Sequence, residues 1–195
     1  VVNVMRGGPG LGTIQPSQGD YFQTIKGGGH GDYKNIVLAP ASAQDMYDFV
    51  DLAFELAFKY RNPAIILGDG VIGQMMEKVE LKPAKARRTE AEIRELCDSW
   101  ATIGNVGRKG NTITSLSLDP EYQEQFNIKL QKKYAEIEEN EVRYETYMAE
   151  DAEHLIVAFG CMSRIGEAVV DLARERGIKL GLLRPITLFP FPKKA

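Results

Sequence analysis

The chain has 195 residues, of which 44% are hydrophobic, 26% charged and 9% aromatic, a globular composition that excludes an intrinsically disordered chain. Its net charge of −3 provides no basic field for nucleic acid, and no apolar run approaches the roughly 18 residues that a membrane span needs. The two cysteines, Cys97 and Cys161, form no CxxC pair, so we expect neither a disulfide scaffold nor a thiolate metal site. This composition predicts a cytoplasmic protein that binds neither nucleic acid nor membrane.

The chain opens on a β-rich run at residues 1–4, without an initiating Met and without the charged region of a signal peptide. Near the other end, residues 178–183 predict a further strand. We therefore expect an excised segment of a longer protein, in which any site shared with further parts is incomplete.

Glycine is the unevenly distributed residue, because nine of the 19 glycines fall within residues 7–31. Gly7 and Gly12 have the spacing of the two glycines in a P-loop. However, Thr13 and Ile14 stand where the motif requires Lys and then Ser or Thr. A dinucleotide GxGxxG motif also fails, since the glycines at positions 8, 10 and 12 are evenly spaced. Neither phosphate-binding motif is present.

The opening β-rich run ends in Arg6, and the glycines that follow leave the backbone with few side chains to cover it. Open α/β sheets bind ligands at the carboxyl ends of their strands, and glycine lets a ligand approach the main chain. Because a guanidinium group can bind a carboxylate or phosphate bidentately, we expect Arg6, Gly7 and Gly8 to bind an anionic group. The alternative is that Arg6 forms a surface salt bridge over the loop.

A first βαβ unit follows the glycine-rich opening. Residues 35–39 predict a buried strand, and Ser42 predicts the N-cap of a helix that ends before Pro63. Residues 64–67 predict a parallel strand, after which Asp69 stands between two glycines as a turn residue. The predicted apolar helix face comprises Met46, Phe49, Val50, Ala53, Ala57 and Tyr60.

The middle of the chain has a different character. Residues 82–88 predict an exposed basic connection, residues 90–96 a short helix and residues 104–110 a loop. Asp119 and Pro120 predict the start of a long helix whose acidic side is a solvated face. Its predicted apolar side comprises Phe126, Leu130, Tyr134, Ile137, Tyr144 and Met148.

A second βαβ unit is predicted near the end. Residues 154–159 and 178–183 predict strands, and Ser163 predicts the N-cap of the intervening helix, which ends at Gly177. The glycines at positions 160 and 166 belong to a plain strand-to-helix turn rather than to a dinucleotide site. The chain is therefore predicted to be α/β, with domains at residues 1–150 and 151–195. The apolar side of the last helix comprises Ile165, Ala168, Val169, Leu172 and Ala173.

The opening sequence carries a family resemblance. MRGGPGLGTIQPSQGDYF at residues 5–22, GGGHGDY at 27–33 and IVLAP at 36–40 resemble the α subunit of 2-oxoacid:ferredoxin oxidoreductases. The resemblance is greatest to the branch that uses 2-oxoisovalerate, and it covers essentially the whole chain. It implies a parallel-sheet segment of the pyrimidine-binding thiamine diphosphate domain. The start of a transketolase C-terminal-like α/β domain follows, marked by LRPITLFPF at 183–191.

The resemblance also implies a reaction, in which a branched-chain 2-oxoacid adds to thiamine diphosphate and loses CO2. CoA then accepts the acyl group, and iron–sulfur clusters pass the electrons to ferredoxin. The family shares thiamine diphosphate with a partner subunit that carries the pyrophosphate-binding domain. We expect Mg²⁺ and the clusters on other subunits, because no His, Cys or Asp residues here have metal-ligand spacing. No catalytic residue is assigned to this chain, which should be silent alone.

The resemblance implies that Arg6 holds the substrate carboxylate. Many relatives have Gly-Pro-Ser-Thr-Gly after this arginine, whereas this chain has Gly-Pro-Gly-Leu-Gly, and Leu11 suits a branched aliphatic substrate. Gln18 and Asp20 either hold the loop or contact a ligand. His30 either faces the active site or a partner, or bonds to the loop backbone.

Two other functions stay open from sequence. One is another thiamine-diphosphate-dependent subunit, of transketolase-like or 2-oxoacid dehydrogenase type, without ferredoxin coupling. The other is a non-catalytic α/β module whose glycine-rich loop docks a partner.

Overall fold

A computed structural model describes residues 1–28, 31–102, 104, 107 and 110–195. They form two compact units, Val1–Glu80 with Leu130–Ala195, and Leu81–Lys129. The predicted domain boundary near residue 150 falls inside the larger unit and stays a prediction. None of the helices in these residues is long and apolar enough to cross a membrane. The elements are, in chain order, β1 (Val2–Met5), α1 (Tyr21–Ile25), β2 (Ile36–Leu38), α2 (Ala43–Tyr60), β3 (Ala64–Asp69), α3 (Gly70–Gln74), α4 (Glu90–Cys97), α5 (Pro120–Asn140), β4 (Tyr144–Tyr147), β5 (His154–Val157), α6 (Cys161–Glu175), β6 (Leu180–Pro185) and β7 (Thr187–Phe189).

A four-stranded sheet with the order β1-β3-β2-β7 carries the main core. β1 and β2 each pair in parallel with β3, and β7 pairs antiparallel with β2. Because α2 connects the parallel neighbours β2 and β3, the predicted βαβ unit is confirmed. β2 is buried at each of its three residues, as expected for a strand that is covered on both faces.

Helix α2 begins as the sequence predicts. The hydroxyl of Ser42 accepts a hydrogen bond from the backbone N–H of Asp45 at 3.0 Å, which caps the first turn. The carboxylate of Asp45 reaches back to the N–H of Ala41 at 2.8 Å. One expected core residue was wrong, since Val50 is 42% exposed while Leu56 is buried. The buried face comprises Phe49, Ala53, Leu56 and Tyr60.

The second sheet is three-stranded, with the order β4-β6-β5. β5 pairs in parallel with β6 and α6 connects them, so the second βαβ unit is also confirmed. β4 pairs antiparallel with β6, a strand that the sequence did not predict.

Helix α5 begins as predicted but ends early. The carboxylate of Asp119 accepts a hydrogen bond from the N–H of Glu121 at 3.0 Å, and Pro120 is the first helical residue. The prediction that the apolar side continues through Tyr144 and Met148 was wrong, because α5 ends at Asn140 and β4 follows. Pairing with β6 satisfies the backbone of this segment in place of a further helical turn.

Helix α6 differs from its prediction in its cap and its buried face. Gly160, at φ 62, is the N-cap, whereas Ser163 lies in the first turn, where its hydroxyl donates to Gly160 O at 2.8 Å. The small residues allow a close approach to the sheet, since a Cβ on Gly166 would lie 3.0 Å from Leu182 Cδ1. Ser163, Gly166 and Val170 are therefore buried, while Ile165, Val169 and Leu172 of the predicted apolar face are exposed.

The smaller unit contains the predicted short helix α4. Thr89 and Glu92 form a reciprocal capping box at its start, which explains why it begins there. Beyond it, the Asn111 amide donates to the carbonyls of Asp98 and Ala101. The predicted loop at 104–110 includes residues 105, 106, 108 and 109, which lie outside the described residues.

A buried carboxylate follows the end of α5 in the larger unit. Glu141 is 3% exposed and accepts hydrogen bonds from Lys59 Nζ at 2.6 Å, Tyr60 OH at 2.7 Å and Arg143 Nη2 at 2.9 Å. Burial by itself would raise the pKa of Glu141, but these three donors outweigh it and hold that pKa below its ordinary value. Glu141 is therefore ionised, and its carboxylate links the end of α2 to the segment that follows α5.

We expect Glu141→Gln to lower the free energy of unfolding by about 2–3 kcal/mol, because two cations lose a buried counter-charge. A carboxylate whose folded pKa is depressed stabilises the fold above its unfolded pKa, and loses that contribution as pH falls through the folded value. The stability of the unsubstituted chain should therefore fall below about pH 4.5, and the variant should lose part of this acid dependence. Urea denaturation of the full chain between pH 3 and pH 7, roughly the range of carboxyl titration, measures both effects.

Glu138→Gln is the matched control, since Glu138 lies three residues before Glu141, in the last turn of α5, but in an exposed pair with Lys193. It should change stability by less than about 0.5 kcal/mol. Equal effects of the two substitutions would show that the Glu141 cluster is not the source of the acid dependence.

Candidate functional site

The glycine-rich loop (residues 7–16) stands at the carboxyl end of β1. Arg6 directly follows this strand and bridges to Pro16 on the returning side of the loop. Gly7 N donates to Gln15 O at 2.9 Å, and Thr13 N donates to Gly7 O at 2.7 Å. The backbone itself therefore closes the loop.

One glycine is required by this closure, and a second is packed tightly against a side chain. A Cβ on Gly12, at φ 55, would lie 1.8 Å from Gly7 O, and a Cβ on Gly7 would lie 2.7 Å from Thr13 Cγ2. Gly8 differs, because a Cβ there would meet nothing within 4 Å. Gly12 thus allows the loop to close, whereas Gly8 leaves the main chain accessible.

Arg6 keeps its guanidinium exposed at the base of the loop. Its Nη1 donates to Thr13 O at 3.4 Å, a long contact with a neutral acceptor. The described residues contain no ion-pair partner for Arg6, so the surface salt bridge considered from sequence is not formed among them. This arrangement leaves the guanidinium able to bind an external anion.

Apolar side chains project from the same loop. Leu11 is 87% exposed and Ile14 is 78% exposed. The loop therefore combines a cation at its base with apolar groups further along, a combination that suits an anion with a small aliphatic substituent.

The structure brings Gln18 and Asp20 into contacts that hold the loop. Gln18 Nε2 donates to Phe159 O at 2.9 Å, and the carboxylate of Asp20 accepts from Asn3 Nδ2 at 3.1 Å. The ring of Tyr21 stacks on Phe159 with centroids 5.7 Å apart. These contacts favour a loop-holding role for both residues. His30 lies outside the described residues.

Asp69 is the residue that sequence reasoning missed by assigning it only a turn. It is 1% exposed, and its Oδ1 accepts from the N–H groups of Val71 and Ile72, which caps α3. Its Oδ2 accepts from Cys161 N at 2.8 Å, at the start of α6. The sequence signal was an aspartate directly after a buried strand, and its partner 92 residues away was not visible.

The thiol of Cys161 is held unreactive at this position. Burial, and next the hydrogen bond with Asp69, raise its pKa to about 11. The neutral thiol is a poor nucleophile, which indicates a structural rather than a catalytic cysteine.

Two arginines tie the last βαβ unit to α2. Arg164 Nη1 donates to Glu77 at 2.5 Å, and the same carboxylate accepts from Ala43 N at 2.9 Å. The bond from Ala43, followed by that from Arg164, lowers the pKa of Glu77. Arg184 pairs with Asp45 in a further short contact. Both guanidiniums are thus engaged, unlike that of Arg6.

Comparison with known proteins places the chain in a family. Residues 1–148 match the family model for the thiamine diphosphate-binding part of pyruvate flavodoxin/ferredoxin oxidoreductase. Residues 152–195 match core domain II of pyruvate:ferredoxin oxidoreductase. The chain belongs to the 2-oxoacid:ferredoxin oxidoreductase family. The resemblance seen in the sequence is therefore confirmed.

Two of this family's curated proteins show the level of likeness. Ketoisovalerate oxidoreductase subunit VorB of Methanothermobacter marburgensis is 56% identical over 194 residues, which are 100% of this chain and 53% of that protein. 2-Oxoglutarate synthase subunit KorA of Archaeoglobus fulgidus is 36% identical over 199 residues, which are 100% of this chain and 55% of that protein. The chain spans about half the length of the curated relatives it matches.

A solved structure shares the fold. The 2-oxoglutarate:ferredoxin oxidoreductase from Magnetococcus marinus, with 2-oxoglutarate, coenzyme A and succinyl-CoA bound, superposes with a TM-score of 0.75 at 24% identity. The match covers 98% of this chain and 37% of that one. With the family models, it confirms the predicted α/β fold with a thiamine-diphosphate-domain parallel sheet.

We expect Asp69→Asn to increase the alkylation rate of Cys161. At pH 9 about 1% of a thiol with a pKa of about 11 is ionised, and removing the adjacent carboxylate should lower that pKa. A fall of about one unit would raise the rate about tenfold. Iodoacetamide labelling followed by mass spectrometry, in a Cys97→Ser background, measures it.

Asp20→Asn is the control, because this carboxylate bonds to Asn3 rather than to the start of α6. It should leave the labelling of Cys161 unchanged. An unchanged rate in Asp69→Asn would contradict the contact between Asp69 and Cys161.

Proposed function

We propose that this chain is part of the α subunit of a 2-oxoisovalerate:ferredoxin oxidoreductase. The complex would oxidatively decarboxylate a branched-chain 2-oxoacid to its acyl-CoA and transfer the electrons to ferredoxin. The 56% identity with a ketoisovalerate oxidoreductase subunit supports this branch over the 2-oxoglutarate branch, where identity is 36%. The observation that carries the proposal is the exposed guanidinium of Arg6 at the carboxyl end of β1.

Arg6 would hold the carboxylate of the 2-oxoacid. Its fork can donate two parallel hydrogen bonds to a planar carboxylate, with Gly8 leaving room for the substrate beside the main chain. A charge-assisted contact of this kind contributes about 1.5–3 kcal/mol. Fixing the carboxylate orients the adjacent carbonyl carbon, which is the atom that reacts.

Leu11 would contribute to the choice of substrate. Its side chain is 87% exposed and so is free to cover the isopropyl group of 2-oxoisovalerate. A substrate with a second carboxylate would place a charge against this apolar side chain, at a desolvation cost.

The described residues do not fit the charged end of thiamine diphosphate. They include no group of three His, Cys, Asp or Glu residues that could hold a metal ion, and the loop has no lysine where a P-loop has one. We therefore assign the diphosphate and its Mg²⁺ to a partner subunit with a pyrophosphate-binding domain. Thiamine diphosphate supplies the electron sink for decarboxylation.

The remaining groups belong to the proposed complex rather than to this chain. Iron–sulfur clusters on a further subunit would pass electrons to ferredoxin, and CoA would enter as co-substrate. We propose a cytoplasmic complex without nucleic-acid or membrane partners. Other thiamine-diphosphate-dependent subunits and a non-catalytic docking module are the competing functions. Ferredoxin or viologen reduction by the reconstituted complex distinguishes all three.

We expect Arg6→Ala to raise KM for 2-oxoisovalerate about 10- to 100-fold, because the substrate loses a charge-assisted contact. Thiamine diphosphate binding should change little, since Arg6 is not assigned to the cofactor. Viologen reduction by the reconstituted complex gives KM, and calorimetric titration gives the cofactor affinity.

Arg87→Ala provides the control, because Arg87 is an exposed arginine in the basic connection. Its KM should equal that of the unsubstituted enzyme. If Arg6→Ala changes neither KM nor kcat, Arg6 is not in the substrate site.

We expect the complex to prefer 2-oxoisovalerate over pyruvate and 2-oxoglutarate, and Leu11→Ala to reduce this preference about tenfold. The reason is the loss of apolar contact with the branched side chain. The measurement is kcat/KM for each of the three acids.

Leu81→Ala is the control, since Leu81 is an exposed leucine outside the glycine-rich loop. It should leave the preference unchanged. A higher kcat/KM for pyruvate or 2-oxoglutarate in the unsubstituted enzyme would refute the proposed branch.

A further inference from the structure

Three segments that are distant in sequence meet at one buried point. Gln18 follows the glycine-rich loop, Asp69 ends β3, and Gly160 precedes α6. A Cβ on Gly160 would lie 2.6 Å from Asp69 Oδ2 and 3.0 Å from Gln18 Nε2. Both side chains thus pack directly against the backbone of Gly160.

Hydrogen bonds fix this meeting point from both sides. Gln18 Nε2 donates to Phe159 O at 2.9 Å, and Cys161 N donates to Asp69 Oδ2 at 2.8 Å, so the residues flanking Gly160 are both held. Because Asp69 is 1% exposed, a displacement of the α6 start would leave a carboxylate oxygen buried and unsatisfied. The start of α6 therefore has one favourable position relative to β3.

The glycine-rich loop rests on the same support. A Cβ on Gly70, the residue after Asp69, would lie 3.1 Å from Pro16 Cα. Pro16 in turn bridges to Arg6 across the base of the loop. Pro16 thus lies between Arg6 and the residue that follows the Asp69 end of β3.

We propose that Gln18, Asp69 and Gly160 form a clasp through which the start of α6 sets the position of the glycine-rich loop. Gln18 and Asp69 are then positioning residues for Arg6, and neither contacts the ligand. The loop coupling stands on the contacts above, whereas its effect on the 2-oxoacid rests on the proposed function.

Gly160→Ala tests the clasp from the α6 side. The added Cβ should push Asp69 and Gln18 away and loosen the loop, although the substitution lies more than 140 positions beyond it in sequence. Hydrogen exchange of the full chain, read by mass spectrometry on peptides covering residues 7–16, should become about fivefold faster.

Gly177→Ala is the matched control. Gly177 also has a positive φ, of 76° against 62° at Gly160, but a Cβ there would meet nothing within 4 Å. Both variants place alanine at a positive φ, whereas Gly160→Ala adds the clash with Asp69 and Gln18 together with the strain of its ψ of −143°. Equal loop exchange in the two variants overturns the clasp.

Gln18→Ala provides a milder variant, in case Gly160→Ala does not fold. It removes the bond to Phe159 O without adding volume, and Gln15→Ala removes an exposed glutamine side chain of the loop as its control. The clasp predicts faster loop exchange and faster alkylation of Cys161 for Gln18→Ala alone. No difference between the two glutamine variants overturns it.

The intact complex separates positioning from structure. The clasp predicts a KM for 2-oxoisovalerate raised about fivefold in Gln18→Ala, with kcat less affected, because the loop samples positions in which Arg6 misses the carboxylate. A merely structural role would lower the active fraction and hence apparent kcat at unchanged KM, which overturns the positioning role. If Arg6→Ala itself leaves KM unchanged, the proposed substrate site fails, and loop exchange alone decides the clasp.

Discussion

The structure of the larger unit depends on the hydrogen bonds of one buried carboxylate, that of Asp69. Asp69 ends β3, the strand that pairs with both β1 and β2, and receives N–H groups from the starts of two helices. A carboxylate buried without donors would be neutralised or expelled, so these N–H groups must stay in place for the fold to hold. The start of α6 and the end of the first sheet are thereby fixed together at a single point, beside the loop that carries Arg6.

Close packing requires glycine at particular positions of the larger unit, one of them in the glycine-rich opening. Gly12 is needed for the loop to close on itself, and Gly160 for the close approach of Asp69 and Gln18. A P-loop phosphate site would need a lysine directly after the second glycine, and the sequence has Thr13 there. Glycine at position 12 lets the two sides of the loop pack backbone against backbone. The guanidinium of Arg6 takes no part in this packing and remains exposed.

Both βαβ units were predictable because their signals are local. Ser42 and Asp119 cap helices through bonds to the next three residues, and apolar runs mark buried strands. β4 was missed because its pairing with β6 spans about 40 residues, and it overrode a helical pattern of apolar residues. The role of Asp69 was missed for the same reason. In the candidate site, sequence predicted Arg6 from its place after a strand, whereas the contacts of Gln18 and Asp20 required the folded chain.

The contrast between Arg6 and the other arginines of the larger unit argues for a ligand. Arg164 and Arg184 pair with Glu77 and Asp45, which lie far away in sequence, and Arg143 pairs with the nearby Glu141. Arg6 contacts a carbonyl at 3.4 Å and keeps most of its hydrogen-bonding capacity. An arginine that only stabilised the loop would gain more from a charged acceptor than from a neutral carbonyl. The glycine-rich loop contains no carboxylate of its own, and this supports the proposal that Arg6 binds the carboxylate of a substrate.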